Sequence, residues 1–272
     1  MLIRKFKNRI KKSLIKRRLI SLKKKLFSEP FCNGGTESIL NFKLKYNNGP
    51  NFYMQYKDEF INQVYKFESS RKDPIIIDGG SNIGLSLLYF KTLYKKSRII
   101  SFEPDPEIFK ILQENVKKNK LENISLYQKG LGKEDQYTFF KQDGMAGGSV
   151  NEQGSGIKIQ MVRLSEYLNE PIDFLKLNIE GQEHNVIEEL FISKKIQIIN
   201  EMVIEYHGFS YLNQTLGDIL KILDNSNFRY FIHDFDNETC SVTKPPFQYE
   251  EDHKWYCLIY AKNKINPIIQ PL

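Results

Sequence analysis

The chain has 272 residues, of which 40% are hydrophobic and 27% charged, the balance of a soluble globular protein with room for one large domain and some extensions. Its three cysteines, Cys32, Cys240 and Cys257, show no C-x-x-C spacing; this argues against a disulfide framework and a zinc site and fits a reducing, cytoplasmic setting. The net charge of +7 is unevenly placed: residues 1–30 hold 12 Lys/Arg against Glu29 alone, so the rest of the chain, 28 basic against 32 acidic, is mildly acidic.

Residues 1–30 read as a basic amphipathic helical arm. Ile3, Phe6, Ile10 and Leu14 keep helical spacing, and so do Ile15, Leu19, Leu22 and Leu26, but on a different face. No apolar run is long enough for a signal peptide or a membrane span. The arm suits an anionic membrane surface through residues 1–29, and equally suits packing on its own domain or a second subunit; nucleic acid is a poorer partner on charge alone. Residues 31–70 form an extension. In it, Ile39 to Lys45 and Asn51 to Tyr56 are expected to pair as a hairpin around Asn47-Asn48-Gly49-Pro50. Asp58 to Phe67 then looks helical, with Asp58 as its cap, and could wall the ligand pocket.

A main domain over residues 71–263 starts with Ile75-Ile76-Ile77, a β-branched run of the kind found in buried parallel strands. Asp78 ends it. Gly79 and Gly80 permit a sharp turn and close approach of a ligand. Leu85 to Tyr94 reads as a helix and Arg98 to Phe102 as a second strand, with Glu103 just past its end, where open α/β sheets bind ligands. A dinucleotide fingerprint would need G-x-G-x-x-G, but Ser81 stands at the second glycine. Glu103 keeps the offset of a ribose-binding carboxylate. A ligand with a ribose and an ammonium but no phosphate is therefore expected, and S-adenosylmethionine has those features. A nicotinamide-dependent oxidoreductase is the disfavoured alternative, and a non-catalytic nucleotide-binding module that recruits a partner is another.

Pro104-Asp105-Pro106 opens a helix to about Lys118, followed by a strand at Ile124 to Gln128 and a turn at Lys129 to Gly132. Gln136 to Phe140 and Ile157 to Val162 read as strands. Between them the glycine-rich stretch Asp143 to Gly156 is expected to be a mobile loop over the substrate, with Ser149 and Asn151 as contacts. Phe174 to Ile179 is a strand that delivers Asn178, Glu180 and Gly181 to the ligand edge. Glu183 and His184 in the next helix read as solvated first-turn residues. Ile198 to Glu205 is a further strand, bringing Glu205 and His207 toward the site. A helix at Leu216 to Leu223 and strands at Arg229 to Asp234 and Trp255 to Tyr260 complete the domain, and residues 264–272 form a loose tail.

Three motifs in this order, D-G-G-S-N-I-G (Asp78 to Gly84), F-E-P (Phe102 to Pro104) and L-K-L-N-I-E-G-Q-E (Leu175 to Glu183), resemble the FkbM family of S-adenosylmethionine-dependent O-methyltransferases, many of which act on sugar or polyketide hydroxyls. The resemblance implies a class I methyltransferase fold of the α/β class: a Rossmann-like seven-stranded sheet with helices on both faces. It implies cofactor contacts from Asp78, Gly79, Gly80, Asn82, Ile83, Glu103, Pro104, Gly130, Leu131 and Asn178, with the adenine near Gly130–Leu131. Asn178 stands where the family more often has aspartate. The expected reaction is methyl transfer to a sugar hydroxyl of a glycan or glycolipid precursor, by a cytoplasmic enzyme that is peripheral at the membrane if the arm binds there. His207 is the expected general base with Glu180 its rival and Glu205 orienting the imidazole, and Asp78 is expected to hold the cofactor's ammonium; Glu180, Glu205 and His207 would suit a divalent metal only moderately, and no metal is assigned.

Overall fold

In the computed structural model, which describes residues 17–142, 148–151, 156–209, 212–233 and 254–265, the first described element is helix α1, residues 17–26. Strands β1 (Gly35–Ile39) and β2 (Phe42–Tyr46) form an antiparallel hairpin. The expected partner segment is instead helical: α2 spans Gly49–Tyr56. Asn48 caps it by accepting from the Asn51 amide, and Pro50 sits in its first turn, where its missing N–H costs nothing. Phe52, Tyr53 and Tyr56 bury one side of the helix, so aromatic content gave a false strand signal. The helix runs on into a π-helical stretch, Lys57–Asn62, which ends at left-handed Gln63 (φ 57°). Asp58 therefore lies inside a continuing helix and not at its start.

The main domain alternates as expected. Strand β3 (Ile75–Gly79) leads to α3 (Leu85–Leu93), β4 (Arg98–Phe102), α4 (Pro106–Lys118), β5 (Ile124–Tyr127) and β6 (Gly130–Gly132). Strands β7 (Gln136–Gln142), β8 (Gly148–Asn151) and β9 (Ile157–Arg163) follow, then β10 (Ile172–Leu177), α5 (Glu183–Ile192), β11 (Ile199–Phe209), α6 (Leu216–Asn225), β12 (Phe228–His233) and β13 (Lys254–Asn263). Seven strands form one sheet in the order β12-β13-β11-β10-β3-β4-β5, with β13 antiparallel to both neighbours and β10, β11, β3, β4 and β5 parallel. Strands β6 to β9 make a separate four-stranded sheet. Part of the glycine-rich stretch is thus β-structure, since β8 pairs with β7; the side chains of Ser149 and Asn151 lie outside the described residues, as do residues 143–147, 152–155 and 266–272.

Alternation along the strands explains the layers. Ile75, Ile77, Leu175, Leu177, Met202 and Ile204 pack against Val186, Ile187 and Leu190 of α5 and Ile219 and Leu223 of α6. Ile76, Phe174 and Val203 face the other way, onto Leu87 and Phe90 of α3 and Phe109 and Leu112 of α4. Both faces of the sheet are covered, which is why these strands read as continuous apolar runs. A third cluster joins Leu26 of α1, the hairpin and α2 to Ile83, Leu85 and Leu88 at the start of α3.

Candidate functional site

Strand order reverses between β3 and β10: the chain moves outward through β4 and β5, then returns to the other side of β3. Crevices at such a reversal, beyond the carboxyl ends of the strands, are the binding sites of open α/β sheets. The glycine turn lies there. Gly80 has φ +81°, and a Cβ on it would lie 1.8 Å from the Asn178 carbonyl oxygen. The glycine is needed because the backbone just after β10 passes against the turn. The amides of Gly80 and Ser81 both donate to the Phe102 carbonyl at 3.0 Å, which leaves them unavailable to a diphosphate. The Ser81 hydroxyl is 2.7 Å from that of Ser101, tying the turn to β4 at the position where a dinucleotide site has glycine.

Glu103 is 6% exposed. One of its oxygens accepts from the Asn82 amide at 2.9 Å and the other from the Asp105 amide at 3.0 Å. Burial pushes its carboxyl up to about 7, against the pull of those two amides. Each oxygen retains a lone pair, the acceptor set that two vicinal hydroxyls require. This carboxylate, and a turn that offers no phosphate cradle, fit S-adenosylmethionine.

Asp78 does not face a ligand. It is fully buried, 2.9 Å from the Lys176 ammonium and accepting from the Ser86 hydroxyl at 2.5 Å. Lys176 also donates to the Gly80 carbonyl at 2.6 Å. A carboxylate already neutralised under the turn has no charge left for the ammonium of a cofactor. Ile83 also departs from expectation: its side chain is buried in the cluster with α2 and the hairpin. Gly79 and Leu131 do meet, since a Cβ on Gly79 would lie 3.0 Å from Leu131 Cδ1. Gly130 lies in β6 against Met161, and the partly buried Pro104 follows Glu103.

Beyond β10 the structure gathers an acidic cluster round one imidazole. β11 outruns β10 by several residues, and its alternation puts Glu205 and His207 on the same face as Asp78 and Lys176. Glu180 (φ +54°) and Gly181 (φ +96°) take left-handed conformations in the turn after β10. Glu183, read from sequence as solvated, is 1% exposed. Its carboxylate accepts from the amides of Ile179 and Gly181 and meets His207 Nδ1 at 3.0 Å. His207 Nε2 lies 3.7 Å from Glu180 and 3.8 Å from Glu205. Burial works against the imidazolium, but the three carboxylates outweigh it and raise His207 to about 10. A ring that holds its proton more tightly has no lone pair for a substrate proton, which argues against the expectation of His207 as general base.

Two residues of the extension reach the same place. The Tyr65 hydroxyl is 3.4 Å from Glu205, with Lys176 Nζ 5.5 Å from its ring centroid. Glu59, from the π-helical stretch, is 6% exposed, and burial next to Asp78 and Glu205 holds its carboxyl well above the usual range despite Lys176. Neither Tyr65 nor Glu59 was singled out from the sequence; π-helices often mark functional sites, but a sequence gives no sign of one. Among the described residues no group of three or more His, Cys, Asp or Glu is arranged to hold a metal ion.

Comparison with known proteins finds methyltransferases. The model of the methyltransferase FkbM domain matches residues 78–230, which include the glycine turn, Glu103 and the acidic cluster. Methyltransferase 1 of Beauveria bassiana is 28% identical over 180 residues, covering 55% of this chain and 71% of that protein. Methyltransferase sdnD of Sordaria araneosa is 26% identical over 177 residues, covering 49% of this chain and 66% of that protein. Among solved structures, an FkbM methyltransferase from Methylobacillus flagellatus superposes with a TM-score of 0.46 at 16% identity, over 78% of this chain and 52% of that one.

Proposed function

The chain belongs to the family of FkbM-domain methyltransferases, with S-adenosylmethionine as its cofactor, and on that premise we propose that it methylates a hydroxyl, that of a sugar in a glycan or glycolipid precursor. The observation that carries the reading is the set of three carboxylates around His207 at the ligand edge. When bound, the cofactor supplies an activated methyl on a sulfonium. Everything else falls to the protein. Glu103 accepts the ribose hydroxyls. The glycine turn, stapled by Lys176 and Ser81, fixes the floor beside Asn178. Removing the proton of an alcohol needs a base acting as the bond forms. Glu180 takes that role: 26% of its side chain is exposed, more than that of Glu183 or Glu205. His207, charged and clamped through Nδ1 by Glu183, orients Glu180 and keeps the carboxylates from repelling one another. Glu205, whose carboxyl burial raises, sits between the imidazole and Tyr65.

Incubation with methyl-labelled cofactor and a panel of glycans and lipid-linked sugars tests this, with the methylated atom identified by NMR. An O-methyl sugar, lost in Glu180→Gln, is the expected product. A methyl recovered on nitrogen or carbon refutes the hydroxyl reading while leaving the family intact.

A further inference from the structure

We propose that the outward face of α1 and the turn after it form a docking surface for an anionic lipid bilayer. The proposal does not depend on which atom is methylated. Helix α1 has a fixed orientation, because Leu26 is fully buried and Leu19 and Leu22 pack beside it against the hairpin and α2. Lys25 adds an ion pair to Glu37 of β1. The opposite face is thereby committed to the exterior, and it is not simply polar. Ile20 in the helix is 60% exposed, and Phe27, in the turn just after it and edge-on to Tyr53 of α2, is 47% exposed. Phe31 follows at 38%. Lysines flank these apolar groups: Lys23 Nζ is 5.5 Å from the Phe27 ring centroid, Lys25 Nζ is 4.9 Å from that of Phe31, and Lys24 is exposed beside them.

Exposed large apolar side chains ringed by lysines match the interface of a bilayer, where the rings enter the headgroup layer and the ammonium groups meet phosphates. A nucleic acid would answer the charge and leave Ile20 and Phe27 in water. A second observation points the same way. Beside α1 opens a cleft of about 300 Å³, lined mostly by apolar residues including Leu19, Leu40, Phe60 and Leu93, with the exposed Arg18 on its rim. An acyl chain under an anionic headgroup suits that pairing. The charge imbalance of residues 1–30 adds attraction over a longer range, limited to about 8 Å at physiological salt. The inner face of α1 belongs to the third cluster, which also holds Ile83 and Leu85 next to the glycine turn, so a docked enzyme would hold its site near lipid-borne acceptors.

The test is co-sedimentation of the full chain with phosphatidylcholine vesicles, with and without phosphatidylglycerol. Binding is expected only to the anionic vesicles. Lys23→Gln with Lys24→Gln should weaken it about 30-fold, the effect of two charges near such a surface. Ile20→Asp with Phe27→Asp should abolish it, with an unchanged thermal transition showing that the fold survives. The proposal is overturned by absent binding to anionic vesicles. Undiminished binding of the Ile20→Asp, Phe27→Asp protein also overturns it, since charge alone would then suffice. So does displacement from the vesicles by RNA that both variants bind equally.

Discussion

Cofactor affinity should rise with pH through neutrality, and Glu103 should set the slope. Its carboxyl titrates at about 7 in the free protein because burial outweighs the two amides that bond it. Ribose hydroxyls donate, so the ionised form is the one that receives them, and at low pH binding must first expel a proton. The ionised fraction is about one half at pH 7 and about one eleventh at pH 6. The dissociation constant should therefore rise about fivefold between those values, then about tenfold per unit below. The same shift affects stability with the opposite sign. A carboxyl raised in the folded state contributes stability that is present below about pH 4.5 and lost as pH rises to about 7, some 3 kcal/mol in all. Titration calorimetry with S-adenosylhomocysteine, in two buffers of different ionisation heat, counts the protons released. Glu103→Gln should bind weakly and without the slope. A dissociation constant that stays flat between pH 6 and pH 8, or a slope that persists in Glu103→Gln, would refute the reasoning.

Other substitutions separate the parts of the site. Glu183→Gln removes the buried charge that clamps His207 and accepts two backbone amides; turnover should fall about 10- to 100-fold, the range for a charged hydrogen bond, with cofactor affinity nearly unchanged by calorimetry. Gly80→Ala places a methyl into the Asn178 carbonyl at a positive φ; a loss of about 3 kcal/mol or more in denaturant unfolding is expected, together with loss of cofactor binding. Lys176→Met leaves Asp78 buried without its cation and should cost about 3–5 kcal/mol, much of it recovered on adding Asp78→Asn.

Most of the sheet was legible because its signals are local. The isoleucine run of β3, Pro106 in the first turn of α4 with Asp105 as cap, and the apolar stretches of β10 and β11 each declare themselves within a few residues. The extension failed where two local signals competed: aromatic richness pointed to a strand, and the Asn48-Gly49-Pro50 start of α2 prevailed. The roles of Asp78 and Glu183 were hidden for a different reason. Asp78 meets Lys176, about a hundred positions away, across adjacent strands. Glu183 meets His207 because β11 runs past the end of β10. Neither proximity leaves a trace in spacing. Asn82, Glu103, Asn178 and Glu180 could be nominated from sequence because position at a strand's carboxyl end is itself the signal.

The match to known methyltransferases begins at Asp78, yet the site does not. Tyr65 lies before that boundary, is 3% exposed, and ends at Glu205; Glu59 is buried beside the same charged row. The extension thus packs Tyr65 and Glu59 against Glu205 and its neighbours and is not an appended module. Tyr65→Phe isolates this claim. The ring stays, with its packing in the cluster of Phe67 and Phe90, so the unfolding midpoint should move little. The hydroxyl goes, and with it a donor to Glu205 that burial has already biased toward its protonated form. If Tyr65 serves the acceptor end, turnover should fall by about tenfold, the acceptor KM should rise, and cofactor affinity should hold. A variant that matches the native enzyme in turnover and in KM for the acceptor would reduce Tyr65 to a packing residue, and would leave the crevice entirely to residues after Asp78.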